Sequence, residues 1–287
     1  MKNLYSSLGV FASLFYLVVS FFLVENKLFD YIFAGLMLVL LGIPHGAVDH
    51  LVAERLAKQK NESFTLAPFI MKYLGIMFAY GVCWQFFPQL SFILFIGISI
   101  FHFGDIECTK TYSPIQSTGK YILQIVRSSL LGLGILGFIL TSHREEVNAI
   151  LVNLPMGSSY RLGTISTYYF LGMMLLGFQK EHASYFINTL VTLLMGKYIP
   201  LIPAFVCYFG ACHAMYSLRI LSDSLQMTFG QLYLKLLPLT LVAIILGIAY
   251  VSLVNSEKWL AHAFIFLSIL TLPHFFLMHQ IAHKTQG

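Results

Sequence analysis

The feature that most constrains this chain is the repetition of long apolar segments along its whole length. Ten such segments lie near residues 7–24, 30–51, 67–87, 89–107, 120–141, 162–178, 184–196, 199–219, 232–254 and 260–282. An α-helix needs about 20 mostly apolar residues to cross the hydrocarbon core of a bilayer. The seventh segment is short and ends at Lys197 and Pro200, so it covers only part of that distance. We therefore expect an all-α, polytopic transmembrane helical bundle with about 8–10 spans.

The composition excludes an ordinary soluble protein of this size. Hydrophobic residues make up 58% of the chain and charged residues only 10%, whereas an average soluble domain carries about 25% charged residues. A soluble chain could not keep that much apolar surface away from water. The sequence lacks the alternation of apolar and polar residues, with a period of two, that is typical of a membrane β-barrel. No internal repeat or flexible linker divides the chain. We expect a single integral membrane domain over residues 1–287.

The basic residues indicate membrane topology and no nucleic-acid partner. The net charge is +5, and no basic stretch with interleaved aromatic residues is present. With ten spans and an inner N-terminus, about twelve of the 17 Lys and Arg residues fall in inner loops. This distribution predicts that both termini lie in the cytoplasm.

Histidine and aspartate side chains lie at the end of the second apolar segment, in the sequence GIPHGAVDH, residues 42–50. Pro44 removes a backbone donor and the flanking glycines loosen the helix, which can turn His45 inward. Asp49 lies on the same helical face as His45 and could accept a hydrogen bond from the ring of a metal-binding histidine. His50 is rotated by about 140° from His45, so both rings reach one centre only if the helix is broken.

Three more histidines have comparable surroundings, namely His102 in FHFGDIE, His213 in YFGACHAMYSLR and His274 in TLPHFFLMH. One histidine in a membrane helix is most often a packing or interfacial residue, but four on four separate segments are typical of a metal centre inside a bundle. Imidazole suits iron, copper, zinc and nickel, so these residues alone leave the metal open. Asp105 and Glu107 are further candidates for hydrogen bonds to the ligands.

The remaining histidines are expected outside the site. His143 and His182 lie in charged loops and should be solvated, His262 should be interfacial, and His279 with His283 should form a surface-facing pair. The sequence contains no HExxH, GxSxG or GxxxxGK[ST] motif and no dense histidine boxes. These absences exclude several classes of hydrolase, nucleotide-binding protein and membrane desaturase.

Taken together, PHGAVDH, FHFGD, Cys212-His213 and Pro273-His274 resemble the Brp/Blh family of bacterial β-carotene cleavage enzymes, from about Gly42 to His274. The resemblance implies a dioxygenase of the bacterial plasma membrane that cleaves the central 15,15′ double bond of β-carotene with O2. Two molecules of all-trans-retinal would form and pass to a microbial rhodopsin. It also implies an Fe(II) cofactor, with His45, His102 and His213 at the positions of the family's metal ligands.

One position departs from the family pattern. The third motif usually continues to a second histidine four residues on, where this chain has Ser217. Serine is a poor ligand for ferrous iron, so His274, His50 or a water molecule would complete the site. We include His274 with the other three histidines as a candidate metal ligand.

Two other classes of function remain open from the residues alone. One is a non-enzymatic membrane protein, either a haem electron carrier with paired histidines or a proton-coupled transporter that uses intramembrane His and Asp. The other is a carotenoid enzyme that catalyses a different reaction.

Overall fold

A computed structural model of the chain describes residues 7–23, 26–108, 118–156, 160–253 and 258–284. These residues form helices and connecting turns without a β-strand, which confirms the all-α prediction. In chain order the helices are α1 (Leu8–Leu23), α2 (Lys27–Gln59), α3 (Leu66–Phe86), α4 (Pro88–Cys108), α5 (Thr118–Ser142), α6 (Arg144–Asn153), α7 (Thr167–Gly177), α8 (Ala183–Gly196), α9 (Leu201–Ser224), α10 (Phe229–Ser252) and α11 (Trp259–Lys284).

Helix length separates the predicted segments into two groups. Seven of the described helices, α2 to α5 and α9 to α11, are long and apolar enough to cross a membrane, which indicates a multi-pass membrane protein. The apolar helices α1, α7 and α8 are shorter, with 16, 11 and 14 residues. Eleven residues cover only about 16 Å of a core about 30 Å thick. Three of the ten predicted segments are therefore too short to span a bilayer alone.

Helix α9 is central to the bundle, whereas α3 and α10 lie at its periphery. In the apolar part of α9, 78% of the residues are buried, against 6% in α3 and 11% in α10. The outer faces of α3 and α10 carry large exposed apolar side chains such as Phe78, Leu234 and Ile245. In a bilayer these side chains face lipid, so polar groups on α9 are the ones held away from solvent.

Helices α4 and α5 touch backbone to backbone through two glycines. A Cβ atom on Gly104 would lie 1.8 Å from the carbonyl oxygen of Ser128, and one on Gly132 would lie 1.8 Å from that of Ile100. Small residues allow such close approach between membrane helices, where van der Waals packing drives association. This contact fixes the position of α4 two residues beyond His102.

Both α2 and α9 contain a wide π-helical turn, and the two turns pack against each other. They cover Leu38–Gly42 in α2 and Phe209–Ala214 in α9. A Cβ atom on Gly42 would lie 2.9 Å from the Phe209 ring, so glycine is needed for this approach. Such π turns insert an extra residue and change the direction of the side chains that follow. One precedes His45 and the other contains His213.

Candidate metal centre

Four histidines from four different helices converge in the interior of the bundle. His45 lies on α2, His102 on α4, His213 on α9 and His274 on α11, and each is at most 5% exposed. The ring centroids of His45 lie 5.8, 5.3 and 4.6 Å from those of His102, His213 and His274. The His102 centroid lies 4.9 Å from each of the other two. The predicted convergence is thus present in the structure.

The ring nitrogens of this histidine cluster face one another. Nε2 of His274 lies 3.0 Å from Nε2 of His45, and Nε2 of His213 lies 3.2 Å from Nε2 of His102. One ligand nitrogen from each of His45, His102 and His274 lies within 4.8 Å of the other two. Two imidazole nitrogens bound to one ion at about 2.1 Å, at right angles, lie about 3.0 Å apart. The donor set and its spacing therefore fit a metal ion, and these three histidines could bind one.

Pro44 explains how α2 presents His45. Proline has no N–H group, so it cannot bond to the carbonyl oxygen of Leu40 as a regular helix would require. The hydroxyl of Tyr233 on α10 donates to that oxygen instead, at 2.7 Å. The freed carbonyl thus accepts a hydrogen bond from another helix. This bond holds the irregular turn before His45 against α10.

Asp49 connects the cluster to a hydrogen-bond network. Its Oδ1 lies 2.7 Å from Nδ1 of His274, and its Oδ2 accepts a hydrogen bond of 2.8 Å from the hydroxyl of Tyr73. The carboxylate is only 3% exposed. Carboxylates that accept the outer N–H of a metal-bound imidazole fix its orientation and increase its basicity. The hydrogen bond that Asp49 was expected to accept from a nearby histidine is present, and the histidine is His274.

Aromatic rings surround the cluster on several sides. The Phe103 ring packs edge-on against His213 with centroids 4.8 Å apart, and Phe209 stacks on His213 at 6.0 Å. Phe275 lies 6.5 Å from His102. This apolar environment lowers the local dielectric constant and keeps water away from the imidazoles. It is also compatible with an apolar ligand beside the nitrogen atoms.

Two nitrogens of the cluster have no hydrogen-bond partner within the described chain. They are Nδ1 of His45 and Nδ1 of His213, both fully buried. A neutral imidazole carries one proton, so each ring can leave Nε2 unprotonated and direct its lone pair toward the centre. A divalent cation could accept these lone pairs, and His45, His102 and His274 are the rings with ligand nitrogens mutually within 4.8 Å.

The structure selects between the alternatives for the fourth histidine. His274 joins the cluster, whereas His50 turns away and its Nδ1 lies 2.8 Å from the carbonyl oxygen of Ala47. Ser217 is buried one turn beyond His213, and no partner for its hydroxyl is found among the described residues. The ring arrangement therefore favours His274 over His50.

Of the two acidic candidates near His102, the structure describes the side chain of Asp105. Oδ2 of Asp105 lies 3.7 Å from Nδ1 of His279, a histidine outside the cluster. The side chains of Glu107 and His283 lie outside the described residues. His279 itself is partly exposed, in line with its expected place near the surface. The ring of His262, expected to be interfacial, is partly buried and lies within hydrogen-bond distance of Tyr250.

Two predictions about histidines were wrong. His143 and His182 were expected to be solvated, but each is only 7% exposed. His143 lies between α5 and α6, and its ring nitrogens face the carbonyl oxygens of Ile139 at 2.9 Å and Ile199 at 2.8 Å. Nδ1 of His182 lies 3.2 Å from the hydroxyl of Tyr216. Adjacent charges suggested solvent, but helix packing turns both rings inward.

The ring spacing argues against a haem between paired histidines. The five measured centroid distances within the cluster lie between 4.6 and 5.8 Å. A porphyrin would have to separate its two axial rings on opposite faces, and the four packed rings leave no gap for a macrocycle. A bare ion is the better fit.

Tyr73 and Tyr233 complete the site but were not identified from the sequence. Tyr73 occurs in an apolar segment with no neighbouring motif, and Tyr233 is one of 16 tyrosines in the chain. Pro44 was the only available signal for Tyr233, because it predicts a free carbonyl but not its partner.

Comparisons with known proteins show which family the chain resembles. The sequence model of the family described as "Beta-carotene 15,15'-dioxygenase" matches residues 36–282, which include all four histidines. A protein of the same name from an uncultured marine bacterium, 66A03, is 24% identical over 258 residues. The alignment covers 84% of this chain and 90% of that relative. No solved structure matches the chain significantly.

Proposed function

Because the chain belongs to the beta-carotene 15,15'-dioxygenase family, we propose that it cleaves the central 15,15′ double bond of β-carotene with O2. Each carbon of the broken bond takes one oxygen atom, so two molecules of all-trans-retinal form and no further oxidant is needed. The observation that carries the proposal is the convergence of four buried imidazoles from four helices in an apolar interior.

We assign the metal to Fe(II) and its binding to His45, His102, His213 and His274. When bound, ferrous iron supplies the means of activating O2, which organic side chains lack. Nε2 of His274 faces Nε2 of His45, Nε2 of His213 faces Nε2 of His102, and Asp49 orients the ring of His274. The Nε2 contacts of 3.0 and 3.2 Å support this assignment.

The surrounding residues suit a substrate that dissolves in lipid. Phe103, Phe209 and Phe275 present apolar and aromatic surface beside the histidine rings. A polyene gains contact area with such rings, while their packing excludes water from the reacting bond. Positioning one double bond beside the metal is the part of the reaction that the protein contributes.

The cellular setting follows from the membrane architecture and the charge distribution. We place the protein in the bacterial plasma membrane as a multi-pass protein. The distribution of Lys and Arg residues puts both termini in the cytoplasm when all ten predicted segments, an even number, cross the bilayer. Substrate would then come from the bilayer, and the retinal would pass to a microbial rhodopsin.

Expression in cells that accumulate β-carotene tests the proposal. The wild-type protein should bleach the cells and form retinal, and His45→Ala or His274→Ala should abolish both effects. His50→Ala is the matched control, since it removes a neighbouring histidine whose ring turns away from the cluster and contacts the carbonyl oxygen of Ala47. Unchanged carotenoid in cells that contain folded wild-type protein would refute the cleavage reaction.

Metal analysis and an optical spectrum separate this function from its alternatives. One iron per chain without a haem band supports the dioxygenase, whereas an intense visible haem band would indicate an electron carrier. A folded protein that neither binds metal nor changes carotenoid would favour a transporter. Another cleavage product, detected by chromatography, would indicate a different carotenoid reaction.

A further inference from the structure

We propose that Tyr73 is a positioning residue for the metal centre, acting through Asp49 on the ring of His274. This inference rests on the proposed function, because it assigns a role toward a metal held by the histidine cluster. It starts from an unbroken line of polar contacts from Tyr73 on α3 to His45 on α2. The hydroxyl of Tyr73 donates to Asp49, Asp49 accepts from His274, and His274 faces His45, at 2.8, 2.7 and 3.0 Å.

Both oxygens of the Asp49 carboxylate are used in this line. Oδ1 faces His274 and Oδ2 faces Tyr73. A carboxylate with one engaged oxygen can rotate about its side-chain torsions, which have broad minima. The second hydrogen bond removes that freedom, so the orientation of Oδ1 depends on the hydroxyl of Tyr73.

The orientation of Oδ1 in turn sets the state of His274. A carboxylate oxygen accepts the Nδ1–H of the ring, which leaves the lone pair on Nε2. That Nε2 is the atom directed at His45 and the centre of the cluster. His274 is the ring that contacts the carboxylate of Asp49, so it is the ring that the network can control.

Apolar packing alone does not explain why a tyrosine, with its hydroxyl, occupies position 73. Helix α3 is the least buried of the seven long helices, and Tyr73 is partly buried on its inner side. A phenylalanine would fill the same volume, so the hydroxyl adds only its bond to a carboxylate that is 3% exposed. A hydrogen bond to a buried charged group is stronger than an ordinary one.

Tyr80 provides a matched control on the same helix. Its hydroxyl donates to the carbonyl oxygen of Ser91 at 2.7 Å, and the side chain is 3% exposed. Tyr80→Phe therefore removes one buried hydrogen bond from α3, as Tyr73→Phe does, without touching the line to the cluster. Comparison of the two variants separates a role in the site from a role in holding α3.

The experiment measures Co(II) binding to the purified full-length protein by titration against a competing chelator, together with the visible d–d spectrum. Tyr73→Phe should weaken Co(II) binding about fivefold, less than the full loss of a hydrogen bond to a charged group because Asp49 still contacts His274, and should shift the d–d bands. Asp49→Asn should weaken binding by about 10- to 100-fold. The double variant should bind no more weakly than Asp49→Asn alone, because Tyr73 acts through Asp49. Tyr80→Phe should match the wild type in affinity and spectrum.

Each alternative result has a distinct meaning. Wild-type affinity and an unchanged spectrum for Tyr73→Phe would overturn the positioning role and leave the metal centre intact. Equal loss of affinity in Tyr73→Phe and Tyr80→Phe would also overturn it, since the effect would then follow α3 stability. Failure of the wild type to bind Co(II) would overturn the metal centre itself and this inference with it. Thermal unfolding of each variant in detergent shows that affinities are compared between folded proteins.

Discussion

Gly104→Ala is the smallest change that should move one ligand-bearing helix. The new Cβ atom would lie 1.8 Å from the carbonyl oxygen of Ser128. An ordinary contact needs at least 3.4 Å, so α4 and α5 would have to separate by about 1.6 Å at this point. The neighbouring atom belongs to the backbone of a helix and cannot rotate away.

Two consequences follow from this separation. Overpacking of this kind costs about 3 kcal/mol, at the upper end of the usual range, because helix backbones must move. His102 lies two residues before Gly104, and its Nε2 is only 3.2 Å from that of His213. A functional site tolerates displacements of about 0.5 Å, and a shift of about 1.6 Å is well beyond that. We therefore expect a larger relative loss in metal affinity than in the free energy of unfolding.

The assay compares Gly104→Ala with Gly97→Ala on the same helix. A Cβ atom on Gly97 has no neighbour within 4 Å, so the same methyl group should be accommodated there. Alanine is favoured over glycine in a helix by about 1 kcal/mol, and Gly97→Ala should be neutral or slightly stabilising. Thermal unfolding in detergent, Co(II) affinity and retinal formation are measured for both variants. Wild-type values for Gly104→Ala in all three measurements would refute the proposed contact between α4 and α5.

Further predictions concern single side chains. Tyr233→Phe leaves the carbonyl oxygen of Leu40 without its donor and should lower stability by about 1–3 kcal/mol, measured by thermal unfolding. His143→Ala should lower the free energy of unfolding by about 3 kcal/mol in the same assay, because a buried ring and its contacts to three carbonyl oxygens are lost. Co(II) affinity should be retained. Ser217→His should lower stability by about 1–3 kcal/mol through overpacking and should not increase retinal formation, because His274 already supplies the fourth ring. Retinal above the wild-type amount would contradict that assignment.

The local features of the site could be read from the sequence because they depend on chain neighbours. Pro44 predicted a broken helix and a free carbonyl before His45, and the structure has both a π turn and an external donor at that carbonyl. The separation of Asp49 from His45 predicted a carboxylate near a histidine ring. These features follow from helix geometry and from the missing N–H of proline.

The contacts between distant segments could not be read in this way. Charges beside His143 and His182 suggested solvent, yet the packing of α5, α6 and α8 buries the first ring and Tyr216 covers the second. Nothing near Tyr73 in the chain indicates that its hydroxyl reaches a residue 24 positions earlier. Such contacts depend on how helices are arranged, and many arrangements satisfy the same apolar pattern.

The sequence by itself determined that this chain forms apolar helices and carries histidines on several of them, since hydrocarbon forces the backbone to bond within each segment. It did not determine which histidines meet. In the tertiary structure His274 rather than His50 lies in the cluster, and Asp49 contacts both His274 and Tyr73. Ring nitrogens from separate helices lie about 3 Å apart. The physical reason is that backbone hydrogen bonding acts within a helix, whereas the direction and depth of a side chain depend on the packing between helices.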